Sequence, residues 1–174
     1  EWCGRSLAAV LLYAARLLGD SESARDVVQE TFLKLCTQQR RDIEGHLAEW
    51  LFSVCRNQAL DLRRKEKRMT PLTASETEMR AGEAAAPPDP IERSEYTAQV
   101  FAALGTLPEN QQEVIRLKFQ HGLSYKEISR VTQLTVTNVG FLIHTALKTI
   151  RQRMKDSEDE DEVTGTTWQA ARGK

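Results

Sequence analysis

At 174 residues, with 40% hydrophobic and 28% charged side chains, the chain has room for one domain or two small ones and apolar content enough for a folded core. No apolar run approaches the roughly 20 residues that span a bilayer, and no secretory signal is visible, so the expectation is a cytoplasmic protein without a membrane partner. The net charge of −1 conceals an alternation: residues 1–70 carry twelve basic and ten acidic side chains, 71–95 two and six, 96–155 eight and three, and 156–174 two and six. A polyanion responds to such blocks rather than to the total. The three cysteines, Cys3, Cys36 and Cys55, are odd in number and far apart, which is no disulfide framework. Cys36 and Cys55 fall in helical patterns and read as buried free thiols. His46, His121 and His144 show no ligand spacing with them, so neither a metal nor a cofactor is expected.

Leu7, Val10, Leu11, Ala14 and Leu18 recur at helical spacing and predict a first amphipathic helix, ended by Gly19. Ser21 or Ser23 starts the next helix. In it Ala24, Val27, Val28, Thr31 and Leu35 face inward, while Asp26, Gln29, Glu30 and Leu33 form a separate stripe at i, i+3, i+4 and i+7. Such a stripe is either a solvated face or a partner site, and spacing does not choose between them. Leu47, Trp50, Leu51 and Val54 begin a third helix that runs into the basic stretch Arg56 to Arg68. Cations favour a helix C-terminus, but five in the six residues from Arg63 to Arg68 exceed what capping needs, and a phosphate-binding patch is the expectation.

Residues 70–91 lack apolar periodicity and read as an acidic, flexible linker. The predicted fold class is therefore all-α, with two small helical domains at 1–69 and 92–155. In the second, Tyr96, Val100, Ala103 and Leu104 share a helix, Gly105 and Leu107-Pro108 punctuate it, and Gln111, Val114, Ile115 and Lys118 continue the pattern. Residues 156–174 open on six acidic residues within seven and read as a disordered tail.

Between Ser124 and Met154 lies a short helix, a break at Thr132-Gln133-Leu134 and a longer helix. Ser124 with Glu127 forms a capping-box pattern, and Thr135 suits the N-cap of the second helix. Val136, Val139, Ile143, Ala146 and Ile150 recur on its apolar face; Thr137, Asn138, Phe141, Thr145 and Lys148 occupy the opposite face. This is the layout of a helix-turn-helix, whose second helix enters the DNA major groove. An ordinary helical hairpin would give the same spacing.

Two stretches point to one family. Residues 16–68, RLLGDSESARDVVQETFLKL…HLAEWLFSVCRNQALDLRRKEKR, resemble the first conserved domain of extracytoplasmic-function (ECF) sigma factors of bacterial RNA polymerase. Residues 107–153, LPENQQEVIRLKFQHGLSYKEISRVTQLTVTNVGFLIHTALKTIRQR, resemble the second. The resemblance implies that Asp26, Gln29 and Glu30, with Phe32, Leu33 and Cys36, dock on core polymerase. It implies that Arg56, Asn57, Asp61, Arg63, Arg64, Lys65, Lys67 and Arg68 meet the opened −10 element. Ser124, Tyr125, Thr135, Thr137, Asn138, Gly140, Phe141, Thr145 and Lys148 would meet the −35 duplex. The implied partners are core polymerase, promoter DNA and, as for many members of the family, an anti-sigma factor; no catalysis is implied.

Two positions depart from the family pattern. Gln133 stands where a glycine is usual, and Gly140-Phe141-Leu142 replaces a basic, hydroxyl-bearing triplet. A close approach of the helix backbone to DNA at Gly140 is the expected reason for the glycine. The rivals are a stand-alone helix-turn-helix regulator, for which the stripe and the basic stretch would be incidental, and a recombinase, for which no catalytic constellation stands out.

Overall fold

The computed structural model describes residues 2–69 and 95–170; the expected linker, 70–91, lies outside them. Eight helices and no strand occur among the described residues: α1 (Trp2–Leu18), α2 (Ser21–Thr37), α3 (Arg40–Ile43), α4 (Leu47–Met69), α5 (Glu95–Gly105), α6 (Glu109–Phe119), α7 (Tyr125–Thr132) and α8 (Val136–Ala170). The all-α expectation agrees with this. No helix among the described residues is long and apolar enough to cross a membrane. Contacts gather α1–α4 with residues 126–134 into one compact unit, and α5, α6, Tyr125 and residues from Thr135 onward into a second.

In the first unit, α1, α2 and α4 pack against one another. Gly19 closes α1 at φ 73°, with its N–H bonded to the Ala15 carbonyl at 2.8 Å, as its place past the cap requires. α2 begins at Ser21, one of the two serines expected to start it, and its N-cap is Asp20, whose carboxylate accepts from the N–H of Ser23 at 2.7 Å and of Glu22 at 3.3 Å. An ionised carboxylate satisfies two orphan N–H groups where a serine hydroxyl commonly takes one. Val10, Tyr13, Ala14, Ala24, Val27, Val28, Leu51, Phe52, Cys55 and Ala59 form the buried apolar set. The Tyr13 and Phe52 rings meet edge to face at a centroid distance of 5.2 Å.

The buried face of α4 therefore runs 51/52, 55 and 59, and Trp50 and Val54 are half-buried beside it. Leu7 is exposed for the same kind of reason: it lies a full turn outside the Val10–Tyr13–Ala14 contact. Thr31 is fully buried, and its hydroxyl donates to the Val27 carbonyl at 2.7 Å while accepting from Gln58 Nε2 at 3.4 Å, so α2 and α4 are tied by a polar contact inside the core. Glu49, buried in the first turn of α4, accepts from Arg130 Nη1 at 2.7 Å. A buried carboxylate left without such a partner would be costly, and the pair fixes α7 within this unit.

The second unit places α5 and α6 against α8. Its core holds Ala103, Leu104, Leu107, Val114, Ile115, Leu117, Leu123, Val139, Leu142, Ile143, Ala146 and Ile150. Pro108 caps α6 from a non-helical conformation, and Gln112 Nε2 donates to the carbonyls of Leu107 at 2.8 Å and Gly105 at 3.1 Å, which fixes the turn between α5 and α6. Past Lys155, where the sequence predicts a disordered tail, α8 continues to Ala170. No proline interrupts residues 156–170, so the i→i−4 ladder has no obligatory stop there.

Candidate nucleic-acid interface

Three surfaces contain the sequence-predicted residues. On α2, Asp26, Gln29, Glu30, Leu33 and Cys36 are all exposed, in one stripe at helical spacing, and Phe32 is half-buried beside it. Leu33 is 56% exposed, a large apolar side chain held in water among acids and amides. Glu30 and Lys34 stand 4.0 Å apart, both about half-exposed, so this pair adds little to stability. Cys36, expected inside, is outside, because it continues the stripe one turn beyond Leu33; Cys55 is the buried thiol, and its burial pushes its pKa up to about 12.

On α4 the helix is continuous through the basic stretch. Asn57, Asp61, Arg64 and Arg68 succeed one another at i, i+4, i+7 and i+11 and are exposed, opposite the buried Leu51–Cys55–Ala59 face. Lys65 and Lys67 are exposed as well, and Arg56 and Arg63 are half-buried at the edges of the helix. Arg64 Nη1 donates to Asp61 Oδ1 at 3.0 Å, which holds one guanidinium along the helix surface. The result is a rigid cationic ridge with one amide, Asn57, in line with it.

The third surface begins at α7. Ser124 directly precedes that helix and Glu127 lies in its first turn, the positions a capping box needs. Ser129 Oγ donates to the Leu134 carbonyl and Gln133 Nε2 donates to the Arg130 carbonyl at 2.7 Å, so the residues of the turn are stitched back to α7. Gln133 itself has φ 61°, the left-handed conformation that favours glycine. Thr135 is the N-cap of α8: its hydroxyl accepts from the Asn138 N–H at 3.2 Å.

From there Thr137, Asn138 and Phe141 are exposed, Thr145 is half-buried, and Lys148 is exposed three turns along. Val136, assigned to the apolar face by its spacing, is 44% exposed, because as the first helical residue it has packed neighbours on one side only. Sequence reasoning missed it for that reason. Leu142 is buried and Phe141 is 66% exposed, so the two apolar neighbours part company.

Gly140 is half-buried, and a Cβ there would lie 3.7 Å from Cε2 of Tyr125. The Tyr125 ring, with Lys118 Nζ 5.5 Å from its centroid, lies beside α8 at Gly140 and leaves Thr137, Asn138 and Phe141 exposed. At the start of α8 the large apolar side chain most exposed is thus Phe141, next to Gly140. Beyond it, His144, Lys148, Arg151 and Lys155 line a shallow cationic hollow along the helix.

The chain is similar to known proteins over both of its helical parts. Residues 4–69 match the family model described as sigma-70 region 2, and residues 97–150 match that described as sigma-70, region 4. The ECF RNA polymerase sigma factor SigL of Mycobacterium tuberculosis is 29% identical over 154 residues, spanning 86% of this chain and 85% of that one. SigM of Bacillus subtilis is 28% identical over 136 residues, spanning 78% and 80%. Among solved structures, the sigma factor RpoE of Bartonella quintana, crystallised in complex with the anti-sigma factor NepR, superposes with a TM-score of 0.60 at 21% identity, over 86% of this chain and 92% of that one, a likeness of fold. With both regions present in order and sharing full-length relatives, the chain belongs to the sigma-70 family, as an ECF-type alternative sigma factor that serves promoter recognition.

Proposed function

We propose that the chain binds core RNA polymerase through the α2 stripe, engages the separated −10 strand through α4, and reads the −35 duplex through the turn and first half of α8. The observation that carries this reading is the division of labour between two exposed faces. The α4 ridge is rich in cations, as a groove that tracks a single-stranded backbone must be. The start of α8 is exposed, uncharged and amide-bearing, as a helix that reads base edges in a duplex can be. Asn57, Asp61, Arg63 and Arg64 then lie near the unstacked bases, and Thr135, Thr137, Asn138 and Phe141 near the base edges. Catalysis is left to the polymerase, and the protein works in the cytoplasm. An anti-sigma partner, of the kind seen with the Bartonella RpoE, fits the family and would occlude one of these faces.

The test is run-off transcription by core enzyme with the full chain on a library of promoters. Transcripts that depend on both the chain and two spaced elements are expected. A chain that binds duplex DNA but never redirects core enzyme would instead be a stand-alone regulator.

A further inference from the structure

From Val131 to Ile143 the sequence contains no charged residue. The exposed side chains at the start of α8 are Val136, Thr137, Asn138 and Phe141, and the first lysine or arginine on the helix, Lys148, lies seven residues past Phe141, about 10 Å along the axis. Guanine is recognised in the major groove by a bidentate arginine or lysine, and cytosine by a carboxylate accepting from its amino group. This helix offers neither. What remains is an amide for an adenine edge and apolar surface for the 5-methyl group of thymine.

Phe141 supplies that surface in an unusual degree. It is 66% exposed, on a well-capped helix whose next residue, Leu142, is buried. Its neighbour Gly140 lies beside the Tyr125 ring, and Tyr125 is itself 40% exposed. We propose that the −35 element of this sigma factor is read as an A/T tract, with Phe141 seated on the methyl group of a thymine and Asn138 paired to an adenine, and with no guanine fixed by an arginine. This rests on the assignment of α8 to the −35 duplex.

The test changes the DNA by one methyl group at a time. Duplexes are selected from a random pool by the full chain, alone and with core polymerase. Each thymine of the selected −35 tract is then replaced by deoxyuridine, which removes only the 5-methyl. One replacement is expected to weaken binding by about fourfold, the size of one buried methyl-sized group. Phe141→Ala should abolish the difference between thymine and uracil at that position, and Phe141→Leu should keep part of it. Phe141 is exposed, so neither variant removes core packing.

Uracil tolerated at every position, a guanine-centred consensus, or a methyl effect that survives Phe141→Ala would overturn the proposal; the last outcome would assign Phe141 to a protein partner. The sigma assignment is read separately. Methyl-dependent binding without any core-directed transcription would remove the sigma assignment, and with it the −35 element, while keeping Phe141 as the thymine reader of a stand-alone regulator; productive transcription with a flat methyl scan would keep the assignment and overturn the inference.

Discussion

Gln133 occupies a left-handed position at φ 61°, which costs a side-chain-bearing residue about 1–2 kcal/mol. Two terms oppose its replacement by glycine. Glycine adds about 0.4–1 kcal/mol of unfolded-state entropy to be lost on folding. The bond from Gln133 Nε2 to the Arg130 carbonyl, worth about 0.5–1 kcal/mol at an exposed site, would also go. Gln133→Gly should therefore change stability by less than about 0.5 kcal/mol, whereas Gln133→Ala keeps the strain, loses the bond and should cost about 0.5–1 kcal/mol. Denaturant titration of the two variants checks this, and a large gain on Gln133→Gly would show that the hydrogen bond offsets nothing. At Gly140 the balance is one-sided. A Cβ would meet Tyr125 at 3.7 Å, an ordinary contact, and glycine in a helix interior costs about 0.5–1 kcal/mol relative to alanine. Gly140→Ala should raise the melting temperature; a drop would mean that Tyr125 must shift to make room.

At the scale of the helix, α2 combines a structural end with a working face. The bonds from the backbone N–H of Ser23, its hydroxyl and the N–H of Glu22 hold the Asp20 carboxyl below its ordinary value of 3.8. A depressed folded-state pKa means that the cap contributes stability above pH 3.8 and loses it as pH falls through the lower folded value. Asp20→Asn should keep most of the cap and weaken this acid-limb dependence, while Asp20→Ala should lower stability at neutral pH; an unchanged acid limb for Asn would sink the assignment. The working face is tested by Asp26→Arg with Glu30→Arg. Both positions are exposed, so helicity should be unchanged by circular dichroism, while binding to core polymerase should weaken by about 2–5 kcal/mol if these carboxylates are interfacial.

The same helix shows what the sequence makes legible. Period-3.6 patterning located every α-helix longer than a single turn and the inward face of α2, because burial repeats with the backbone. It failed where burial depends on a neighbour's extent. Val136 and Leu7 obey the period but overhang the contact, and Cys36 reads as core by residue type although its register is that of the stripe. The start of α2 at Ser21 is legible in the sequence, while the cap itself, Asp20, depends on a backbone conformation that local spacing does not carry. The Tyr125–Gly140 contact joins residues fifteen apart across a turn, and no local pattern carries it.

For the whole molecule, cations are concentrated at two places, the end of α4 and the middle of α8 between Lys148 and Lys155, and the two meet different forms of DNA in the proposed scheme. That difference has a measurable signature, because counterion release scales as about 0.9 per phosphate contact for duplex and about 0.7 for single strands. Lys148 lies on α8, beyond the uncharged recognition segment, and its loss should act on the first, closed encounter with duplex promoter. Lys148→Ala should lower the salt slope of that step by about 0.9 and weaken all promoters alike. Arg63→Ala with Arg64→Ala should leave the closed step nearly unchanged and lower the slope of the opening step by at most about 1.4, two contacts at the single-strand value. Arg64 should contribute the smaller part, since its guanidinium must first leave Asp61; that pair is well exposed on both sides, so its rupture costs no more than about 1 kcal/mol. The measurement is promoter binding and promoter opening by the full chain with core polymerase, followed separately across a range of salt concentrations. If the two variants shift the same step, or if neither changes a slope, the cationic ridge of α4 is a helix terminus with favourable charge and the α8 cations face solvent.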